Sequence, residues 1–160
     1  MLAVSSYWDY LYGHNSRFRH GDFRNSVAEL NEHQAVRDAV FELFSFAQAN
    51  ADVIKGGQAQ GGSFHYQFNV KNRTQTLFTV DANGYVSVSL GGFVGFSPLV
   101  PGRLVVKLRS TLARIPGFES FAKNYPVRPG FLAAKTLVDP TVMKQFKCAI
   151  LKFQKDAQAF

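Results

Sequence analysis

Arg103, Lys107, Ser110 and Arg114 recur at spacings of four, three and four residues, the repeat of one face of an α-helix. At about 100° per residue these positions fall within roughly 60° of one another. Apolar Leu104, Val105, Leu108, Leu112 and Ile115 take the other side. A row of cations on one helical face can track a phosphate backbone. Each phosphate it neutralises releases counterions and steepens the salt dependence of binding. The same row also satisfies the ordinary need of a packed helix for a solvated outer face, so the spacing alone leaves both uses open.

Other chemistry-bearing groups are weaker. Arg17-Phe18-Arg19-His20 and Phe23-Arg24 interleave cations with aromatics, as stacking platforms for single strands do, and they also suit an arm anchored on a core. Arg17 and Arg19 are therefore secondary phosphate contacts beside Arg103, Lys107 and Arg114. Lys144, Lys147, Lys152 and Lys155 oppose the apolar stripe of the last helix but spread over well over about 100° of arc, as solvation requires. His65, Gln67, Asn69, Tyr85, Ser87 and Ser89 form a polar strand face able to hydrogen-bond a ligand or to meet water.

Several catalytic classes lose their residues. The run Gly56-Gly57-Gln58-Ala59-Gln60-Gly61-Gly62 lacks the Gly-Lys-Ser/Thr ending of a P-loop and leads into a strand. His14, His20, His33 and His65 have no zinc-ligand spacing, and Cys148 adds no partner. Asn69-Val70-Lys71 puts an amide where a metal-dependent nuclease needs a carboxylate. Cys148 has no adjacent base, and no Gly-x-Ser-x-Gly elbow occurs. No catalytic residue, metal or cofactor is expected, and the chain leans away from being an enzyme.

The charge is one-sided. Residues 1–92 carry 7 Lys and Arg against 8 Asp and Glu, whereas residues 93–160 carry 11 against 3. The net +7 thus belongs to the C-terminal part, the footprint expected of a partner to polyanions, chiefly nucleic acid. With 160 residues, 46% apolar content and 16 Phe, the chain reads as one globular domain. No run approaches a membrane span, and the first residues lack the basic and apolar regions of a secretory signal. A single cysteine favours a reducing compartment, so a cytoplasmic location is expected.

The elements that must position these groups can be read from periodicity. Asp22 can cap a helix reaching about Asn31. Val36, Val40, Leu43, Phe44 and Ala47 mark a helix over Gln34–Asn50. Gly56–Gly62 reads as a loop. Three strands follow: Phe64, Tyr66, Phe68 and Val70 alternate with polar residues, Thr76–Val80 is β-branched and aromatic, and Val86, Val88 and Leu90 alternate after an Asn83-Gly84 turn. The cationic helix runs from about Gly102 towards Pro116-Gly117. Asp139-Pro140 starts a last helix carrying Val142, Met143, Phe146, Ile150, Phe153 and Ala157 to the C-terminus. The expected fold is α+β: a three-stranded antiparallel β-meander packed against about four to five helices, a single layer of helices on one face. Residues 1–33 form an aromatic-rich N-terminal arm with short helices, and residues 34–160 the α+β domain.

Gly61-Gly62-Ser63-Phe64, the run from Leu77 to Val86, Tyr125-Pro126-Val127 and Leu137-Val138-Asp139-Pro140 follow one another in an order that resembles a small accessory domain found beside restriction-endonuclease-like nucleases and in bacterial defence proteins. The likeness covers about residues 35–157. It implies an association with DNA-acting systems and no active site, because the family's catalytic carboxylates lie in the neighbouring nuclease domain. The leading expectation is a non-catalytic nucleic-acid-binding or nuclease-associated module. The alternative is a protein-interaction or assembly module, with a protein partner or a second copy docking on the aromatic arm or the polar strand face.

Overall fold

The computed structural model describes residues 20–31, 33–57, 62–93, 98–122 and 130–160. Its elements are α1 (His20–Leu30), α2 (Gln34–Asn50), β1 (Val53–Gly57), β2 (Ser63–Val70), β3 (Arg73–Asp81), β4 (Tyr85–Val88), α3 (Gly102–Leu112), β5 (Gly130–Ala133) and α4 (Pro140–Gln158). Short 3₁₀ turns follow β4, α3 and β5.

The strands form one antiparallel sheet in the order β1-β2-β3-β4-β5. The expected three-stranded meander is its centre, and the sheet is larger by one strand at each edge. Both added strands are short and carry glycine, which hid them. Gly56 and Gly57 are accordingly not loop residues: they pair with Phe64 and Ser63. Tight reversals join the central strands. Lys71 and Asn72 both take positive φ between β2 and β3, and Gly84 takes φ +82 between β3 and β4; both suit two-stranded turns matched to sheet twist.

The alternation in β3 breaks at Leu77-Phe78, where two large apolar residues are adjacent and both fully buried. The register shifts there: Tyr66 faces Phe78 and Gln67 faces Thr76, so Leu77 is the extra residue of a bulge. Beyond it Thr74 and Thr76 return to the polar face, opposite Asn69 and Gln67.

The other face carries the core, which explains the phenylalanine content. Phe23 of α1 and Phe44 of α2 meet Phe64 edge to face. Phe46 stacks on Tyr66, which stacks on Phe78. Phe146 and Phe153 of α4 close on Phe78 and Phe68. Such pairs add about 0.5–1.5 kcal/mol each beyond burial. Helices α1, α2 and α4 thus seal one face of the sheet, and α3 packs on α4. One polar link crosses this core: the Tyr66 hydroxyl donates to Gln154 Oε1, and Gln154 Nε2 donates to the Asn50 carbonyl at 3.2 Å. Burial, with Asp52 adding, pushes the Tyr66 phenol well above its ordinary acidity range.

Candidate nucleic-acid interface

Helix α3 is held by Val105, Leu108 and Leu112, all buried, and its other side meets solvent. Arg103, Lys107 and Ser110 are exposed on that side. The helix ends at Leu112, earlier than the Pro116-Gly117 stop suggested. Arg114 therefore lies in the following turn, exposed, its backbone N–H donating to the Thr111 carbonyl at 3.3 Å. The helical row is two cations long, and the third continues it in a turn.

Helix α4 begins as expected. Asp139 Oδ1 accepts from the N–H groups of Thr141 (2.7 Å) and Val142 (3.3 Å), and Pro140 takes the first turn. Near its C-terminal end α4 meets α3 through charge: Lys107 Nζ lies 3.9 Å from Asp156 Oδ2, and Lys152 Nζ lies 3.6 Å from the same oxygen. Further along, Phe118, after α3, contacts Phe146 in the first half of α4. The two helices are therefore antiparallel, and Lys107 sits at their seam with Lys152 opposite. Spacing within one helix shows Lys152 only as a solvated residue. Its place beside Lys107 is a tertiary fact.

The flanks of α4 differ. Towards α2, Lys147 pairs with Glu42 and lies over the Phe46 ring, 5.6 Å from its centroid. Towards α3, exposed Lys107 and Lys152 share Asp156 as their described ion-pair partner, and Arg103 and Arg114 are exposed nearby. Lys144 and Lys155 are exposed on α4 as well. Glu119, after α3, accepts hydrogen bonds from its own N–H and from Gly117 at 3.0 Å, which lower its pKa and keep it ionised. Arg17 and Arg19 lie outside the described residues.

The outer face of the sheet is the second candidate. His65 Nδ1 is 2.7 Å from Thr79 Oγ1, Gln67 Nε2 donates to Thr76 Oγ1 at 2.8 Å, and the Thr74 hydroxyl donates to Asn69 Oδ1 at 2.7 Å. Burial, then the charge of Lys55 across the strand pair, lowers the His65 pKa and favours neutral imidazole. Burial raises the Asp81 pKa. Gly57 is required here, since a Cβ on it falls 2.0 Å from Ser63 Oγ and 2.7 Å from His65 Nε2. A shallow cavity of about 310 Å³ opens at one end, lined by Asn31, His33, Asn83, Tyr85 and Lys135 among others. Among the described residues of its lining, Lys135 carries the one permanent charge.

Among the described residues no group of three His, Cys, Asp or Glu is placed to hold a metal ion, and no helix is long and apolar enough to cross a membrane. The chain matches no protein-family model, no curated protein and no solved structure.

Proposed function

We propose that this chain is a non-catalytic nucleic-acid-binding module that contacts phosphates through Arg103, Lys107 and Arg114, joined by Lys152 of the neighbouring helix. The observation that carries the reading is the convergence of Lys107 and Lys152 on one carboxylate oxygen of Asp156. Two ammonium groups share one counter-charge there, with Arg103 exposed in α3 and Arg114 exposed in the turn after it. Such a surface is neutralised more completely by an array of phosphates than by its own protein. In the nuclease-associated form of the proposal, phosphodiester chemistry belongs to a neighbouring domain and this module supplies affinity.

A fluorescence-anisotropy titration of labelled oligonucleotides at low and at physiological salt tests it. Binding weakens steeply with salt, with a log–log slope of about −3 to −4 if three to four phosphates are engaged. The triple variant Arg103→Ala, Lys107→Ala, Arg114→Ala loses about tenfold or more in affinity. Unchanged affinity sinks the residue assignment.

A second reading, assembly through the outer face of the sheet, is favoured by Tyr85, which is 54% exposed there. Such binding tolerates salt, and light scattering that shows the same monomer before and after Tyr85→Ser removes it.

A further inference from the structure

Resting on the reading above, we infer that the polyanion is a double-stranded nucleic acid, held by its phosphate backbone without readout of base sequence. Three observations lead there.

Neither helix offers a base a place to stack. Helix α3 contains no aromatic residue, and the two in α4, Phe146 and Phe153, are 0% and 4% exposed in the core. Proteins that hold single strands through a cationic groove add aromatic rings on which successive bases lie. Phe160 is exposed beyond α4, yet Lys71 of the β2–β3 turn lies over its ring at 4.7 Å. The apolar side chains that do surface on these helices are Val106 and Leu151, which have no π-face.

The cations sit at a seam between two helices. The major groove of duplex DNA, about 12 Å wide, admits one α-helix. Packed helices lie about 8–10 Å apart, and each is about 10–12 Å across with its side chains. A surface whose central cation, Lys107, lies where α3 meets α4 is too broad to enter the groove as a reading head. It rests across the backbone, where contacts position without specifying.

The array is stiff and short, which favours the denser ladder of charge. The 11 residues of α3 extend about 16 Å at ~1.5 Å per residue. Duplex DNA presents one charge per ~1.7 Å of axis, and a single strand about half that density. Cations fixed on packed helices meet a duplex without ordering it, whereas a flexible strand loses freedom when held.

The test is anisotropy of the full chain with a labelled DNA duplex of two turns, the RNA duplex of the same length, each separated strand and a duplex of scrambled sequence. Duplexes bind about tenfold or more tighter than the strands at low salt, and scrambling changes nothing. The DNA and RNA arms then say which duplex is preferred. Asp156→Asn, which deletes the shared counter-charge, tightens duplex binding by about threefold to tenfold. A folding defect cannot imitate that gain, and circular dichroism confirms the fold. Strands that match or exceed the duplex, or a strong effect of scrambling, overturn this inference and leave nucleic-acid binding standing. An Asp156→Asn variant of unchanged affinity overturns the placement on the seam. No binding to any of the five probes overturns the underlying reading itself.

Discussion

The outer face of the sheet and the seam between α3 and α4 are both polar surfaces, but they differ in how far the protein itself satisfies them. On the sheet, side chains pair with one another across the strands: His65 with Thr79, Gln67 with Thr76, Asn69 with Thr74. Each such bond adds about 0.5–1.5 kcal/mol and withdraws a donor or acceptor from any ligand. At the seam, exposed cations exceed the carboxylate that faces them. Polarity alone therefore says little about binding. The balance left after internal pairing says more.

The largest effect expected from breaking this contrast comes at the seam. Arg103, Lys107, Arg114 and Lys152 changed together to Ala lower affinity for a DNA duplex by roughly a hundredfold at low salt. Thermal unfolding shifts little, because exposed charges contribute little to stability. Four substitutions on the sheet face, Gln67, Asn69, Thr76 and Thr79 to Ala, do the reverse, lowering the melting temperature and leaving duplex affinity within about twofold. Equal losses of affinity from both sets would erase the distinction.

Gly57→Val comes next. Its side chain has no room beside Ser63 Oγ and His65 Nε2, so β1 is pushed off the sheet at a cost of about 1–3 kcal/mol, read by denaturant unfolding.

His65 gives a smaller effect that depends on pH. Its pKa is lowered from the ordinary 6.5 by burial and then by Lys55. The unfolded chain therefore binds the proton more readily, and stability is complete above about pH 6.5 and declines as pH falls below it. Asp81 has the opposite displacement, raised by burial; its contribution weakens as pH rises above 3.8 towards the folded value. Melting curves between pH 7 and about pH 5 show the decline in the natural chain, and His65→Gln flattens it. The smallest effect is at the α2 flank: Glu42→Gln, releasing Lys147, changes stability by about 0.2–1 kcal/mol and duplex affinity by less than about twofold.

Much of this was legible from spacing. The limits of α2, the Asp139 cap of α4 and the turn at Asn83-Gly84 follow from local rules, and local structure obeyed them. What escaped reading was tertiary. Strand β1 carries Gly56-Gly57, which reads as loop until Ser63 and His65 are seen to need the space. Strand β5 is four residues long and takes its identity from pairing with β4, far back in the chain. Leu77 looked like one more strand residue, although two adjacent buried apolar residues already signal a bulge. Of the candidate site, the row on α3 was visible, while Lys152 was not. Periodicity assigns a residue to a face, but it cannot say which other helix lies beside that face.

The sheet pairs neighbours in chain order, yet its last member arrives late. Strands β1 to β4 can zip from the tight Lys71-Asn72 reversal outward, each addition closing a short loop. Strand β5 joins only after α3 and the segments around it have been carried back across the molecule, a longer and slower closure. Amide protons of β2 and β3 are then the last of the sheet to exchange with solvent, and those of β5 the first. The last strand is thus the final member of the sheet to pair and the first to release.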